Sequence, residues 1–233
     1  MAPVFKLVWV LVLGGCMVEG DDDNDRLIVS PTGVPTIDTN VATGRVCRVF
    51  DLRDLAVCNS LDVANLTIEV AGTTVRTQAD GSFAIAAPTV SNSVAVNGAT
   101  VTPTLSPFPG STFNPFVPVV DADVFARVFT SNNLLQSPTQ GSVLAFVTRN
   151  GIPVSGVFAS TIPASTVSPI FDGTTADVFT VLGTGPRGVI LAPGLIPGGT
   201  TITLTDATNS FEVVLDPVRV IEGGVTIVNA QLP

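Results

Sequence analysis

The chain has 233 residues, a formal net charge of −9 and 45% hydrophobic residues against only 12% charged ones. Such an apolar, sparsely charged chain is not disordered throughout, and its acidic balance leaves no basic footprint for nucleic acid. Histidine and tyrosine are absent, and every basic residue after Lys6 is an arginine, which excludes Ser-His-Asp and Cys-His chemistry.

The chain opens with a short cationic start at Lys6, a run of seven apolar residues from Leu7 to Leu13, and two small residues, Gly14 and Gly15, before Cys16. This is the three-part layout of a secretory signal, too short to cross a bilayer as a helix. Leu13-Gly14-Gly15-Cys16 resembles the lipobox of bacterial lipoproteins, in which the cysteine is lipidated and becomes the first mature residue. The resemblance implies a cleaved lipoprotein signal peptide over residues 1–15, acyl chains (palmitate among them) on Cys16, and a lipid-anchored place in the bacterial cell envelope. Met17, where an Asp would signal inner-membrane retention, points to the outer membrane. The alternative is an ordinary signal peptide with a chance cysteine.

Residues 16–42 read as a flexible acidic tether. Glu19 to Asp25 is a charge run of the kind usually found solvated. Asp21, Asp23 and Asp25 alternate like the start of a calcium loop, but the turn glycine and closing glutamate are missing, so they are only a weak calcium candidate. Asp38-Thr39-Asn40 is similar to an aspartic-protease Asp-Thr-Gly but lacks the glycine and a second copy.

Lipidation of Cys16 would leave Cys47 and Cys58 as an even pair. In an oxidising compartment such a pair is expected to form a disulfide. It would close a loop of about a dozen residues and contribute about 2.5–3 kcal/mol by chain entropy. Two free buried thiols or half a metal site are the alternatives, the latter disfavoured because no histidine and no third thiol would complete it.

Residues 43–102 are expected to form a first β-sandwich domain. RVCRVF (45–50), NLTIEV (65–70), TVRTQ (74–78), SFAIAA (82–87), SVAV (93–96) and ATVTP (99–103) alternate with turn signals. Asp80-Gly81 and Asn97-Gly98 predict hairpins. In NLTIEV, Leu66, Ile68 and Val70 fall on one face and Thr67 and Glu69 on the other, as a half-buried strand requires. Asn65-Leu66-Thr67 is formally a glycosylation sequon and reads as a strand start.

Residues 103–120 carry five prolines and three phenylalanines. Proline disfavours helix and sheet interiors, so an extended linker is expected. Residues 121–233 are expected to form a second sandwich from VFARVF, SVLAFVTR, DVFTVL, GVILAP, TITLTD, FEVVLD and GVTIVNAQL, with turns at Gly185-Pro186-Arg187-Gly188 and Pro197-Gly198-Gly199. No helix is expected, because no long stretch keeps a 3.6-residue apolar period free of glycine or proline. The fold class is therefore all-β, with two Greek-key, prealbumin/Ig-like β-sandwich domains following the signal peptide.

TGRV (43–46) and ANLTIEVAGTTVRTQADGSFAIAAP (64–88) resemble a carboxypeptidase-regulatory-like, prealbumin-like domain. Thr77, Asp80, Gly81 and Phe83 match, and Asn65 stands where that family often has glycine. GSVLAFVTRNGIPVSGV (141–157) resembles the opening of the same family through Gly151, Pro153, Val154 and Gly156, and GPRG (185–188) stands for its later turn. The resemblance implies non-catalytic sandwiches. In the related pilin-type Cna-B domains a Lys–Asn isopeptide bond forms, which a chain without lysine beyond the signal cannot make.

The functional expectation is a non-enzymatic, membrane-anchored structural or binding module without a cofactor, whose partners are the membrane and an envelope protein or polysaccharide. A carbohydrate-binding module is the first alternative, weakened because the single tryptophan, Trp9, lies in the signal. A carboxylate-only hydrolase is the second, with Asp121 and Asp123 as its pair on one strand face.

Overall fold

A computed structural model of the chain describes residues 41–86, 93–108, 115–206, 208 and 211–233. The described residues form one compact unit. The described strands are β1 (Val41–Val49), β2 (Cys58–Asn59), β3 (Thr67–Val70), β4 (Thr73–Arg76), β5 (Ser82–Ala86), β6 (Ser93–Gly98), β7 (Val101–Pro107) and β8 (Phe116–Val120). A helix, α1 (Ala122–Ser131), leads to β9 (Gly141–Arg149), β10 (Ile152–Pro153), β11 (Val157–Ile162), β12 (Ile170–Asp172) and β13 (Phe179–Thr180). The chain closes with β14 (Val189–Leu195), β15 (Gly198–Asp206), β16 (Phe211–Val220) and β17 (Val225–Leu232). The fold is all-β in class, as the alternation of apolar residues implies.

One topology occurs twice. In the first repeat β1 pairs antiparallel with β2 and β5 and parallel with β8, while β3, β6 and β7 pair antiparallel in that order. In the second, β9 pairs antiparallel with β10 and β14 and parallel with β17, while β11, β15 and β16 pair antiparallel. The registers agree as well. Val46 lies opposite Val117 as Val147 lies opposite Ala230. Gly44 meets Phe83 as Ala145 meets Ile190, and Ile68 meets Val96 as Ala159 meets Leu204.

A threonine organises each copy. Thr77 Oγ1 donates to the Val63 carbonyl and accepts from the Leu66 N–H, and its backbone exchanges bonds with Asn65 and Leu66. Thr184 Oγ1 donates to the Val154 carbonyl and accepts from the Val157 N–H, and its backbone exchanges bonds with Gly156 and Val157. Both threonines are buried. Asn65 holds φ of 58° where Gly156 holds 79°; asparagine tolerates this left-handed backbone better than most residues. Gly81 and Gly188 then turn with positive φ and accept from the N–H groups of Val46 and Val147.

Each repeat has its own apolar core. Val46, Val63, Ile68, Phe83, Ile85 and Val96 belong to the first, and Val147, Val157, Ile190, Ile202 and Leu204 to the second. A third core joins them. Leu52 and Val120 from the first repeat, Phe125 and Phe129 from α1, and Leu144, Ile170 and Phe179 from the second share one cluster. Short parallel pairing of β17 with β7, through Val225 with Thr104 and Thr226 with Leu105, fuses strands of both repeats into a ten-stranded sheet.

Three sequence expectations are corrected. VFARVF is not a strand: its buried residues are Val124, Phe125, Val128 and Phe129, a helical spacing. Asp121 caps this helix, its Oδ1 accepting from Val124 N at 2.9 Å, which satisfies an otherwise orphaned amide. The stretch 103–120 is not a free linker, because its described residues include most of β7 and all of β8. Pro103 is tolerated because it falls where the β6–β7 register shifts, leaving no ladder bond for its missing N–H to make. Asp80-Gly81 does not close a hairpin, since β4 pairs with β3 and β5 with β1; it turns the chain from one sheet to the other. Asn97-Gly98 does lie at a true hairpin, β6–β7.

Candidate binding surfaces

The insertions that distinguish the repeats meet at their joint. In the second repeat β9 and β10 are linked tightly through Asn150-Gly151. In the first, the equivalent link is the arm 50–57, clamped at its base by a disulfide between Cys47 and Cys58. Leu52 on this arm is fully buried in the joint core. Arg53 Nε and Nη2 donate to Asp51 Oδ1 and Oδ2 at 3.0 and 2.9 Å, and Nη1 donates to the Gly173 carbonyl of the second repeat at 3.0 Å. Burial alone would raise the Asp51 carboxyl, but the Arg53 hydrogen bonds and charge outweigh it and hold it below the usual carboxylate range. The same hydrogen bond raises Arg53, which stays charged.

Beside this arm lies a hollow of about 370 Å³, lined by Leu55, Phe146, Pro153 and Pro186 between Arg53 and Arg187. Arg187 Nη1 donates to Asp54 Oδ2 at 3.1 Å across the joint. Both guanidinium groups lining the hollow thus have carboxylate partners, and Thr148 and Asn229 are its uncharged polar residues. Its chemistry suits packing of an uncharged group rather than acid–base work.

The buried acids hold backbone in place. Asp172, 1% exposed, accepts from the N–H groups of Gly185, Arg187 and Val189 at 2.8–2.9 Å, fixing the GPRG turn. Asp206 accepts from Arg149 Nη2 at 2.8 Å and from Thr208 N. Asp121 Oδ2 lies 2.7 Å from Arg48 Nε, although that N–H is not aligned for a hydrogen bond. Arg48 and Arg149 occupy equivalent places on β1 and β9, and each overlies a phenylalanine ring, Phe50 and Phe211. The exposed Asp80 accepts from Ser82 N and Oγ and from Arg45, and these bonds, those of Ser82 first, lower its carboxyl.

The expected Asp121 and Asp123 pair is not formed on one strand face. Asp121 is buried at the helix cap, whereas Asp123 is exposed in the first helical turn. Cys16, Asp21, Asp23, Asp25 and Asp38-Thr39-Asn40 lie outside the described residues. Among the described residues no group of three acidic, cysteine or histidine side chains is placed to hold a metal, and no helix is long and apolar enough to cross a membrane.

A second hollow, of about 520 Å³, runs along β11. Phe158, Ser160 and Thr161 line it together with Ser165, Val167 and Val181. None of its lining residues is charged. β11 is the edge of the three-stranded sheet β11-β15-β16. Sequence reasoning missed β11 altogether. The alternating Val157-Phe158-Ala159-Ser160-Thr161-Ile162 was the available signal.

No protein-family profile matches the chain, and no curated protein does. Among solved structures, the chain is similar to the TIE protein of Bacillus anthracis, with 14% identity over 83% of this chain and a TM-score of 0.25; the chain spans about a third, 34%, of that protein. It is also similar to GBS52, the minor pilin of Streptococcus agalactiae, at 11% identity, 84% of this chain, 97% of that one and a TM-score of 0.26. The shaft pilin SpaA of Lactobacillus rhamnosus GG matches at 8% identity, 82% and 97% coverage and a TM-score of 0.25. The β-sandwich class rests on the chain's own strand pairing and repeated registers.

Proposed function

We propose that the protein is a non-enzymatic, lipid-anchored component of the bacterial cell envelope, built from two fused β-sandwich repeats that present a surface to a partner. The resemblance of Leu13-Gly14-Gly15-Cys16 to a lipobox supports the anchor, and Met17 favours the outer membrane. The observation that carries the non-enzymatic reading is the occupation of the buried acids. The buried Asp121, Asp172 and Asp206, and the partly buried Asp51, are each engaged by arginine or backbone N–H groups. A catalytic carboxylate is instead expected in a cleft, within reach of a substrate and of a partnering acid, base or nucleophile.

Mass spectrometry of the protein from native membranes tests the anchor. The expected result is a chain beginning at Cys16 and carrying acyl chains, and a Cys16→Ser variant that leaves the membrane fraction. An intact residue 1–15 segment with an unmodified thiol would overturn it. Hydrolase turnover by the purified protein that is abolished by replacing one of its acids would overturn the non-enzymatic reading.

A further inference from the structure

The two repeats differ at one sheet edge. In the first, Leu66 gives its N–H and C=O to Thr77, and the next residues of the same phase, Ile68 and Val70, pair with Val75 and Thr73 of β4. In the second, Val157 gives its N–H and C=O to Thr184 in the same way. Because antiparallel ladders alternate, Ala159 and Thr161 direct their N–H and C=O groups away from β15. No described strand pairs with them. The chain that would make the β4 counterpart instead crosses to the other sheet as β12 and β13, where it builds the joint.

We propose that this vacant fourth-strand position is filled by β11 of a second copy, related by a two-fold axis through Ser160. The strand is self-complementary about that residue. Antiparallel pairing centred there sets Ala159 opposite Thr161 of the copy, and Thr161 opposite Ala159, so the backbone groups of each strand that point away from β15 meet those of the other. It also sets Phe158, 42% exposed, against Ile162, 69% exposed, making two apolar cross-strand pairs. β11 holds no charge and no proline, the devices that usually block edge pairing. The opposite edge of the same sheet has both: β16 carries Glu212, Pro217 and Arg219. β4 carries Arg76 and is only four residues long. The result is a continuous sheet running β16-β15-β11 and on into β11, β15 and β16 of the copy.

Residues facing each other at a non-hydrogen-bonded antiparallel position approach to about 4.5 Å between Cα atoms, close enough for a disulfide after slight adjustment. Ser160→Cys in the full chain, oxidised in membranes with diamide, is therefore expected to give a cross-linked species of twice the chain mass. Val214→Cys, on the opposite edge strand and similarly exposed, is expected to give none above background. Adding Ile162→Lys to Ser160→Cys is expected to reduce the cross-link at least tenfold while the melting temperature of the protein stays within about 2 °C. Equal cross-linking by Ser160→Cys and Val214→Cys, or none by either, overturns the proposal. Cross-linking of Ser160→Cys to a different envelope protein overturns the second copy as occupant and assigns the edge to that partner.

Discussion

The first and second repeats share strand order, register and an organising threonine, yet they spend their extra chain differently. The first inserts the disulfide-clamped arm 50–57 between β1 and β2. The second diverts the segment between β11 and Thr184 into β12 and β13. These two departures touch: Leu52 shares a core with Ile170 and Phe179, and Arg53 bonds the Gly173 carbonyl. Variation in a duplicated fold has thus gone into the joint between the copies. As a consequence, no described strand pairs with the outer side of β11 in the second copy.

The largest break in this comparison should come from the joint itself. Phe125, 2% exposed and 4.7 Å from the Phe129 ring between centroids, belongs to neither repeat alone. Phe125→Ala should cost about 3–5 kcal/mol through lost burial and a cavity. Denaturant unfolding should then resolve two transitions where the intact protein shows one.

Removing the arm's clamp comes next. Replacing Cys47 and Cys58 together by alanine releases a loop with a sequence separation of 11 and should lower stability by about 2.5–3 kcal/mol on the chain-entropy account. The loss should appear in the first repeat and the joint. Amides of β15 and β16 should keep their protection.

The threonines sharpen the likeness. Thr77→Val leaves a buried carbonyl and a buried N–H short of a partner, and Thr184→Val a partly buried carbonyl and a buried N–H. Each should cost about 1–3 kcal/mol, and the two losses should agree within about 1 kcal/mol if the hydrogen-bond frames are equivalent. Thermal or urea unfolding of the two variants reads this directly.

The smallest effect is pH dependence at the arm. The Asp51 carboxyl is lowered in the fold, so its contribution is present above the unfolded carboxylate value of about 3.9. That contribution is lost as pH falls through the lower folded value. Asp51→Asn should flatten the decline of stability below about pH 4, as measured by urea unfolding at stepped pH.

How far the sequence disclosed this structure follows from which forces leave a local pattern. β3 was legible because Leu66, Ile68 and Val70 alternate with Thr67 and Glu69, and the structure buries the first set. Cys47 and Cys58 were legible as a pair by counting. The helix was hidden because VFARVF is short and rich in strand-forming residues, and only the cap at Asp121 and the 124, 125, 128, 129 spacing betray it. β7 and β8 were hidden by prolines whose cost vanishes at a register shift or on an edge strand. The duplication was hidden because it resides in backbone bonds to Thr77 and Thr184, with long and unequal chain before each. The open edge cannot be read from β11 alone: its meaning comes from β4, which covers the same place in the other repeat.

Amide hydrogen exchange, resolved by residue in the Ile162→Lys variant so that pairing with a copy is blocked, tests the central claim of one framework with one edge uncovered. The account predicts slow exchange at Ile68 and Val70, beneath β4. It predicts fast exchange at Ala159 and Thr161, between slow neighbours at Ser160 and Ile162. Equally slow exchange at all four matched positions would contradict it.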